Sequence, residues 1–154
     1  MTIEDSPDLV FVHLSDIHFR TGRAGDAHDV DADIRNEIER DLRNLRTTRI
    51  RRIDGIIVSG DIAFSGKPDE FTFARSWIER ICEQIECPTN AVMIGPGNHD
   101  VDRATAGSPE VSQLHDKVRA AATAAARDDE LASILRNAEQ GPLLMSPTAA
   151  YNRF

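Results

Sequence analysis

Three short apolar runs, each stopping abruptly at a cluster of polar residues, constrain this chain more than any other feature. They cover residues 9–14 (LVFVHL), 53–59 (IDGIIVS) and 91–94 (AVMI), and near-continuous apolar runs of this length read as strands buried in a parallel sheet. Amphipathic helices separate them. Ile34, Ile38, Leu42 and Leu45 recur at helical spacing, with Asp31 and Asp33 at the start and Arg43, Arg46 and Arg49 at the end, as the helix dipole favours. A second stripe, Ala74, Trp77, Ile78, Ile81 and Ile85, follows the breakers Gly66 and Pro68. The order strand, helix, strand, helix, strand predicts an α/β fold of parallel strands joined by right-handed crossovers. Beyond Asp102, Val111, Leu114, Val118, Ala121 and Ala125 predict a third helix, and Leu131, Ile134, Leu135 and Ala138 a fourth. Residues 141–154, with Pro142 and Pro147, read as a loop.

Composition narrows the functional classes. A length of 154 residues suits one domain, and 40% hydrophobic with 29% charged residues is ordinary for a globular protein. No apolar run approaches the roughly 18 residues of a membrane span. The first eight residues carry Glu4, Asp5 and Asp8 and lack a basic, apolar signal, so a cytoplasmic protein is expected. With 18 Lys plus Arg against 26 Asp plus Glu, the net charge of -8 argues against broad binding to nucleic-acid backbones. It equally disfavours a phosphate-bearing substrate, unless bound cations reverse the local sign. Cys82 and Cys87 should fall on different faces at a helix end, and two cysteines make no zinc cluster.

Each strand ends in residues able to ligate a metal: Asp16-Ile17-His18, Gly60-Asp61 and Gly97-Asn98-His99-Asp100. In a parallel sheet all three strand ends lie along one edge, so sequence order becomes spatial convergence. Carboxylate, imidazole and amide oxygen form a mixed donor set that suits Mn, Fe or Zn. Gly60 and Gly97 let the backbone turn sharply there. Each motif is weak alone; the ordered set is specific.

The set Asp16-x-His18, Gly60-Asp61, Gly97-Asn98-His99-Asp100 resembles the calcineurin-like metallophosphoesterases, a superfamily of binuclear metal phosphatases, phosphodiesterases and nucleases. The text HLSDIHF and GPGNHDVDR is similar to its bacterial members, including the cyclic-nucleotide phosphodiesterase branch, and the likeness runs from about Leu9 to Arg103. The resemblance implies that Asp16 and His18 bind a first divalent ion, Asp61 bridges two ions, and Asn98 binds the second. It implies that His99 faces the scissile phosphate and that Asp100 hydrogen-bonds His99. Phosphoester hydrolysis by a hydroxide activated between the two ions would follow. The substrate would be a phosphoester, with cyclic nucleotides or nucleic-acid ends as diester examples.

Family members continue with a further strand-end His and a Gly-His-x-His motif. Here no His follows His115, so two imidazole-bearing motifs are missing. Residues 1–154 are therefore expected to form a single domain cut to the N-terminal half of the family's α/β/β/α sandwich, with a downstream portion in the full-length protein. The rival expectation is a non-catalytic module that keeps the fold for metal or partner binding.

Other polar residues have plainer readings. His13 lies within the first strand and is expected to be buried and hydrogen-bonded; His28 is expected to be solvated; His115 belongs to a helix away from the sheet edge. Asp26, Asp29 and Asp31 read as loop and capping residues, with Asp26 and His28 as lesser candidates for a substrate rim. Arg20 and Arg23 follow the first motif and are candidates for phosphate contact, although exposure is the default for arginine. Asp102 reads as a local hydrogen-bonding partner and Trp77 as core.

Overall fold

The computed structural model describes residues 9–20 and 30–154. Along the chain, β1 (Phe11–Leu14), α1 (Val30–Thr48), β2 (Gly55–Ser59), α2 (Pro68–Gln84) and β3 (Val92–Gly95) alternate as the sequence predicts. Four helices follow: α3 (Arg103–Ala106), α4 (Pro109–Ala120), α5 (Ala124–Arg136) and α6 (Gln140–Met145). The sheet has the order β1-β2-β3 and is parallel throughout, pairing Leu14 with Val58 and Val58 with Ile94. β1 starts two residues later than the apolar run. Asp54 explains this: its carboxylate accepts the Val10 N–H at 2.9 Å while its own N–H donates to the Val10 carbonyl at 2.7 Å, outside the ladder.

α1 and α2 pack against each other and on the same core, which puts both helices on one face of the sheet. Ile56 and Val58 are fully buried there and share a core with Phe71, Ala74, Trp77, Ile78 and Ile81 of α2. Trp77 meets Phe19 edge-on at 5.6 Å and packs in the core, as expected. On the other face, Phe11 and Met93 are exposed and Ile57 is half-buried. His13 lies in register with Ile57 on this open face, so it is exposed rather than buried; its Nε2 hydrogen-bonds Ser59 Oγ at 2.6 Å.

Three further expectations need correction. The third helix does not run on to Ala125: Thr123 is extended, and its hydroxyl accepts the Ala126 N–H, which starts α5 as a new helix. Residues 141–154 form α6 and two 3-10 turns rather than a loop, because Pro142 and Pro147 occupy first turns, where a missing N–H leaves no helical bond unmade. Ala150, Tyr151 and Phe154 then pack against the core, and the Tyr151 hydroxyl donates to the Ile94 carbonyl at 3.3 Å.

Cys82 and Cys87 do not face apart. Glu86 adopts φ 56°, the Glu86 N–H donates to the Glu83 carbonyl and the Cys87 N–H to the Cys82 carbonyl, a reversal that folds Cys87 back over the helix end. Both thiols are free and buried; burial, then the neighbouring Cys87, pushes Cys82 up to about 11.

Candidate metal centre

The loops after β1 and β2 are zipped together past the ends of their strands. His18 N–H donates to the Asp61 carbonyl at 3.0 Å, Phe19 N–H to Ile62 at 2.8 Å, and Phe64 N–H back to Phe19 at 3.0 Å. The pairing has a cost. Asp16, His18 and Asp61 sit at φ 56°, 53° and 51°, in the left-handed region that disfavours side chains by roughly 1–2 kcal/mol per residue. Such backbone persists only where its surroundings over-determine it, and here the strained residues are the metal-competent ones.

The third loop closes over the second. Gly60 has φ 88°, and a Cβ there would come within 2.9 Å of the Gly97 backbone. A Cβ on Gly97 would in turn fall on the Asp61 carboxylate, whose Oδ1 accepts the His99 N–H at 2.9 Å. Glycine at both positions is what lets the two loops touch. Asp100, 1% exposed, accepts the Ala63 N–H on Oδ1 at 2.7 Å and the Gly97 N–H on Oδ2 at 2.8 Å.

These contacts depart from the expected link between Asp100 and His99. Both Asp100 oxygens bond to backbone N–H groups of the loops, and His99 Nδ1 instead lies 2.8 Å from the Phe64 carbonyl. A carbonyl only accepts, so Nδ1 carries the proton, and Nε2 faces the Arg103 guanidinium at 3.5 Å. Phe64 is thus a site residue that the sequence motifs did not reveal; its ring also lies 5.5 Å from that of His99 and 6.2 Å from that of His18. Glu70 was also missed. Buried at 2% exposure, it accepts from the Ser65 N–H, the Ser65 hydroxyl and the Lys67 N–H, holding the turn that leads from Phe64 into α2. Its place just after Pro68, in the first turn of the helix, was the available signal.

His18, Asp61 and His99 offer ligand atoms that all lie within 4.8 Å of one another. Asp16 stands beside them, its Oδ1 4.0 Å from His18 Nε2, and Asn98 is exposed on the same turn as His99. His18 Nδ1 is buried without a hydrogen-bond partner among the described residues. An orphaned imidazole nitrogen beside a carboxylate and a second imidazole fits a divalent ion, and the donor set suits Mn, Fe or Zn. His115 lies elsewhere, lining an apolar cavity of about 360 Å³ with Val118, Leu131 and Leu144. Asp26, His28 and Arg23 fall outside the described residues. Asp102 caps α3 and pairs with Lys67 at 2.8 Å; burial pushes its carboxyl up, but hydrogen bonds from Lys67 and Thr105 together bring it below the usual range.

The calcineurin-like phosphoesterase family model matches residues 9–139, which takes in all three strand-end clusters. The chain belongs to the calcineurin-like phosphoesterases. Its three parallel strands and their helices accord with the N-terminal half of that fold. It is 31% identical over 93 residues to a glycerophosphodiester phosphodiesterase of Enterobacter lignolyticus, covering 60% of this chain and 30% of that protein. It is 36% identical over 99 residues to a cAMP/cGMP dual-specificity phosphodiesterase of Mycobacterium tuberculosis, covering 64% of this chain and 29% of that protein. The matched segment thus spans under a third of the length of either phosphoesterase. Among the described residues, no helix is long and apolar enough to cross a membrane.

Proposed function

We propose that this chain carries the metal-binding part of a phosphoester hydrolase acting on phosphodiesters. The observation that carries the reading is the convergence of His18, Asp61 and His99, from three separate strand ends, on one small volume lined by a family-matched motif set. Asp16, His18, Asp61 and Asn98 would hold divalent ions. Bound ions would neutralise phosphoryl oxygens and lower the pKa of water, which is how an acidic protein can take an anionic substrate. His99, its Nδ1 donating to the Phe64 carbonyl, would hydrogen-bond the ester through Nε2 as the imidazolium, in which both ring nitrogens donate. Asp100 would serve catalysis indirectly, by stapling the Ala63 and Gly97 backbones on which Asp61 and His99 depend. Residues 1–154 would be one part of a larger domain, a reading supported by the matched share of both phosphodiesterases. The named substrates of those relatives make glycerophosphodiesters and cyclic nucleotides the first to try.

The test is hydrolysis of bis(4-nitrophenyl) phosphate with Mn²⁺ supplied. Asp61→Ala should abolish both turnover and Mn²⁺ binding; turnover that survives the substitution would refute the assignment.

The ligand count favours a second reading, metal binding without turnover. Among the described histidines only His18 and His99 reach the cluster, while His13 bonds Ser59 and His115 lines a separate cavity. Mn²⁺ binding that is lost in Asp61→Ala, with no diester hydrolysis by the parent, would select it.

A further inference from the structure

Most cations among the described residues that meet a carboxylate do so away from the site: Arg40 with Glu37, Arg46 with Glu86, Arg52 with Asp54, Arg80 with Glu39 and Arg119 with Asp116. Arg20, two residues after His18, differs. Its guanidinium carbon lies 3.8 Å above the centre of the Phe64 ring, and among the described residues no carboxylate or carbonyl pairs with it. The ring is itself fixed. Phe64 N–H donates to the Phe19 carbonyl, the Phe64 carbonyl accepts from His99, and the ring packs 5.5 Å from the His99 imidazole. Arg20 is therefore no farther from that imidazole than the 3.8 Å and 5.5 Å contacts laid end to end.

A guanidinium held over an aromatic ring by cation–π attraction still carries five N–H donors in a rigid fork. That fork matches two oxygens of a phosphoryl group. An exposed arginine without such a platform loses rotamer entropy when it grips an anion; one already held loses less. The local charge points the same way, since Asp16, Asp61 and Asp100 surround the site and none of them takes the Arg20 charge among the described contacts.

We propose that Arg20 is a substrate-binding residue that grips a phosphoryl oxygen of the phosphoester, with Phe64 as the platform that positions it. This rests on the phosphoester reading above and adds a protein cation to the metal charge. It also gives Phe64 two duties: its carbonyl orients His99 and its ring orients Arg20.

The experiment is equilibrium binding of inorganic phosphate to the Mn²⁺-loaded protein, with Mn²⁺ affinity measured separately for every variant. Arg20→Gln should weaken phosphate binding about 10-fold, the scale of a lost charge-assisted hydrogen bond. Arg20→Lys should lose less, because charge remains without the fork. Phe64→Leu, which keeps the backbone carbonyl, should weaken phosphate about 3-fold through the lost cation–π contact. Arg52→Gln, in the segment before β2, should change nothing, and Mn²⁺ affinity should match the parent in both Arg20 variants and in Arg52→Gln. Parent-like phosphate affinity in Arg20→Gln overturns the proposal, as does a parallel fall in Mn²⁺ affinity, which would make Arg20 a support of the metal centre. A parent that binds Mn²⁺ but no phosphate overturns the Arg20 role and leaves the metal site standing. A parent that binds neither removes the phosphoester reading and Arg20's role with it.

Discussion

At the sheet edge, Asp16, His18 and Asp61 hold left-handed backbone, whereas between residues 103 and 154 no non-glycine residue has positive φ. The helical segment is instead assembled from local rules. Asp102, Ser108 and Thr123 each cap the helix that follows them, and Ile134, 2% exposed, anchors α5. One region is held in costly geometry by hydrogen bonds between loops distant in sequence; the other is stable turn by turn. Apart from Glu86 in the turn after α2, the strain is gathered where ligand atoms converge, the pattern expected of a site whose shape matters more than its stability.

Substitutions can break that contrast, and the largest effect should come at the edge. Gly97→Ala puts a Cβ onto the Asp61 carboxylate and should cost more than about 3 kcal/mol in urea unfolding while sharply weakening Mn²⁺ binding. If stability falls and Mn²⁺ affinity does not, the two loops are not coupled through Asp61. Ile134→Ala should cost about 3 kcal/mol through cavity formation and leave Mn²⁺ affinity at the parent value. Any loss of metal there would mean that the helical segment shapes the site. Asp100→Asn keeps one acceptor and sets an amide N–H against a backbone N–H, at a cost of about 2 kcal/mol. Because His99 is held by Phe64, the NMR tautomer signature of His99 should persist in that variant. Thr123→Ala removes one cap and should cost about 1 kcal/mol, visible as faster amide exchange at the start of α5 alone.

The smallest effect is a pH dependence. Asp102 has a folded pKa below its ordinary value, so its contribution is complete above the unfolded Asp value of roughly 4 and fades as pH falls through the folded value. Lys67→Met should reduce that acid dependence, leaving the part set by Thr105, at a cost well under about 1 kcal/mol, since Lys67 is half-exposed. An unchanged acid limb of the stability profile would show that Thr105, not Lys67, sets the carboxyl.

Much of this was legible before any fold was known. Apolar runs bounded by helical stripes gave the strand order, because burial on both faces of a parallel strand leaves a continuous apolar signature. The strand-end motifs gave His18, Asp61 and His99, since a parallel sheet brings its strand ends to one edge whatever lies between them. What failed turned either on a partner distant in sequence, as with His99 and Phe64, or on a local cap or turn that periodicity does not show. Val111 to Ala125 has helical spacing across a break that only the Thr123 cap marks, and residues 141–154 carry prolines that read as loop until their first-turn positions are seen.

The sequence by itself determined the α/β class and the residues that could ligate a metal, because each follows from periodicity or from residue chemistry at fixed spacing, and its motif set carried the resemblance to the family. Only the tertiary structure decided how those residues are held. That Phe64, and not Asp100, orients His99, that Asp100 staples two loops, and that Arg20 rests on an aromatic platform all depend on contacts between the Phe19–Arg20, Asp61–Phe64 and Gly97–Asp100 stretches. No spacing along the chain encodes which carbonyl an imidazole will find; that is settled when the loops pack and every buried N–H must meet an acceptor.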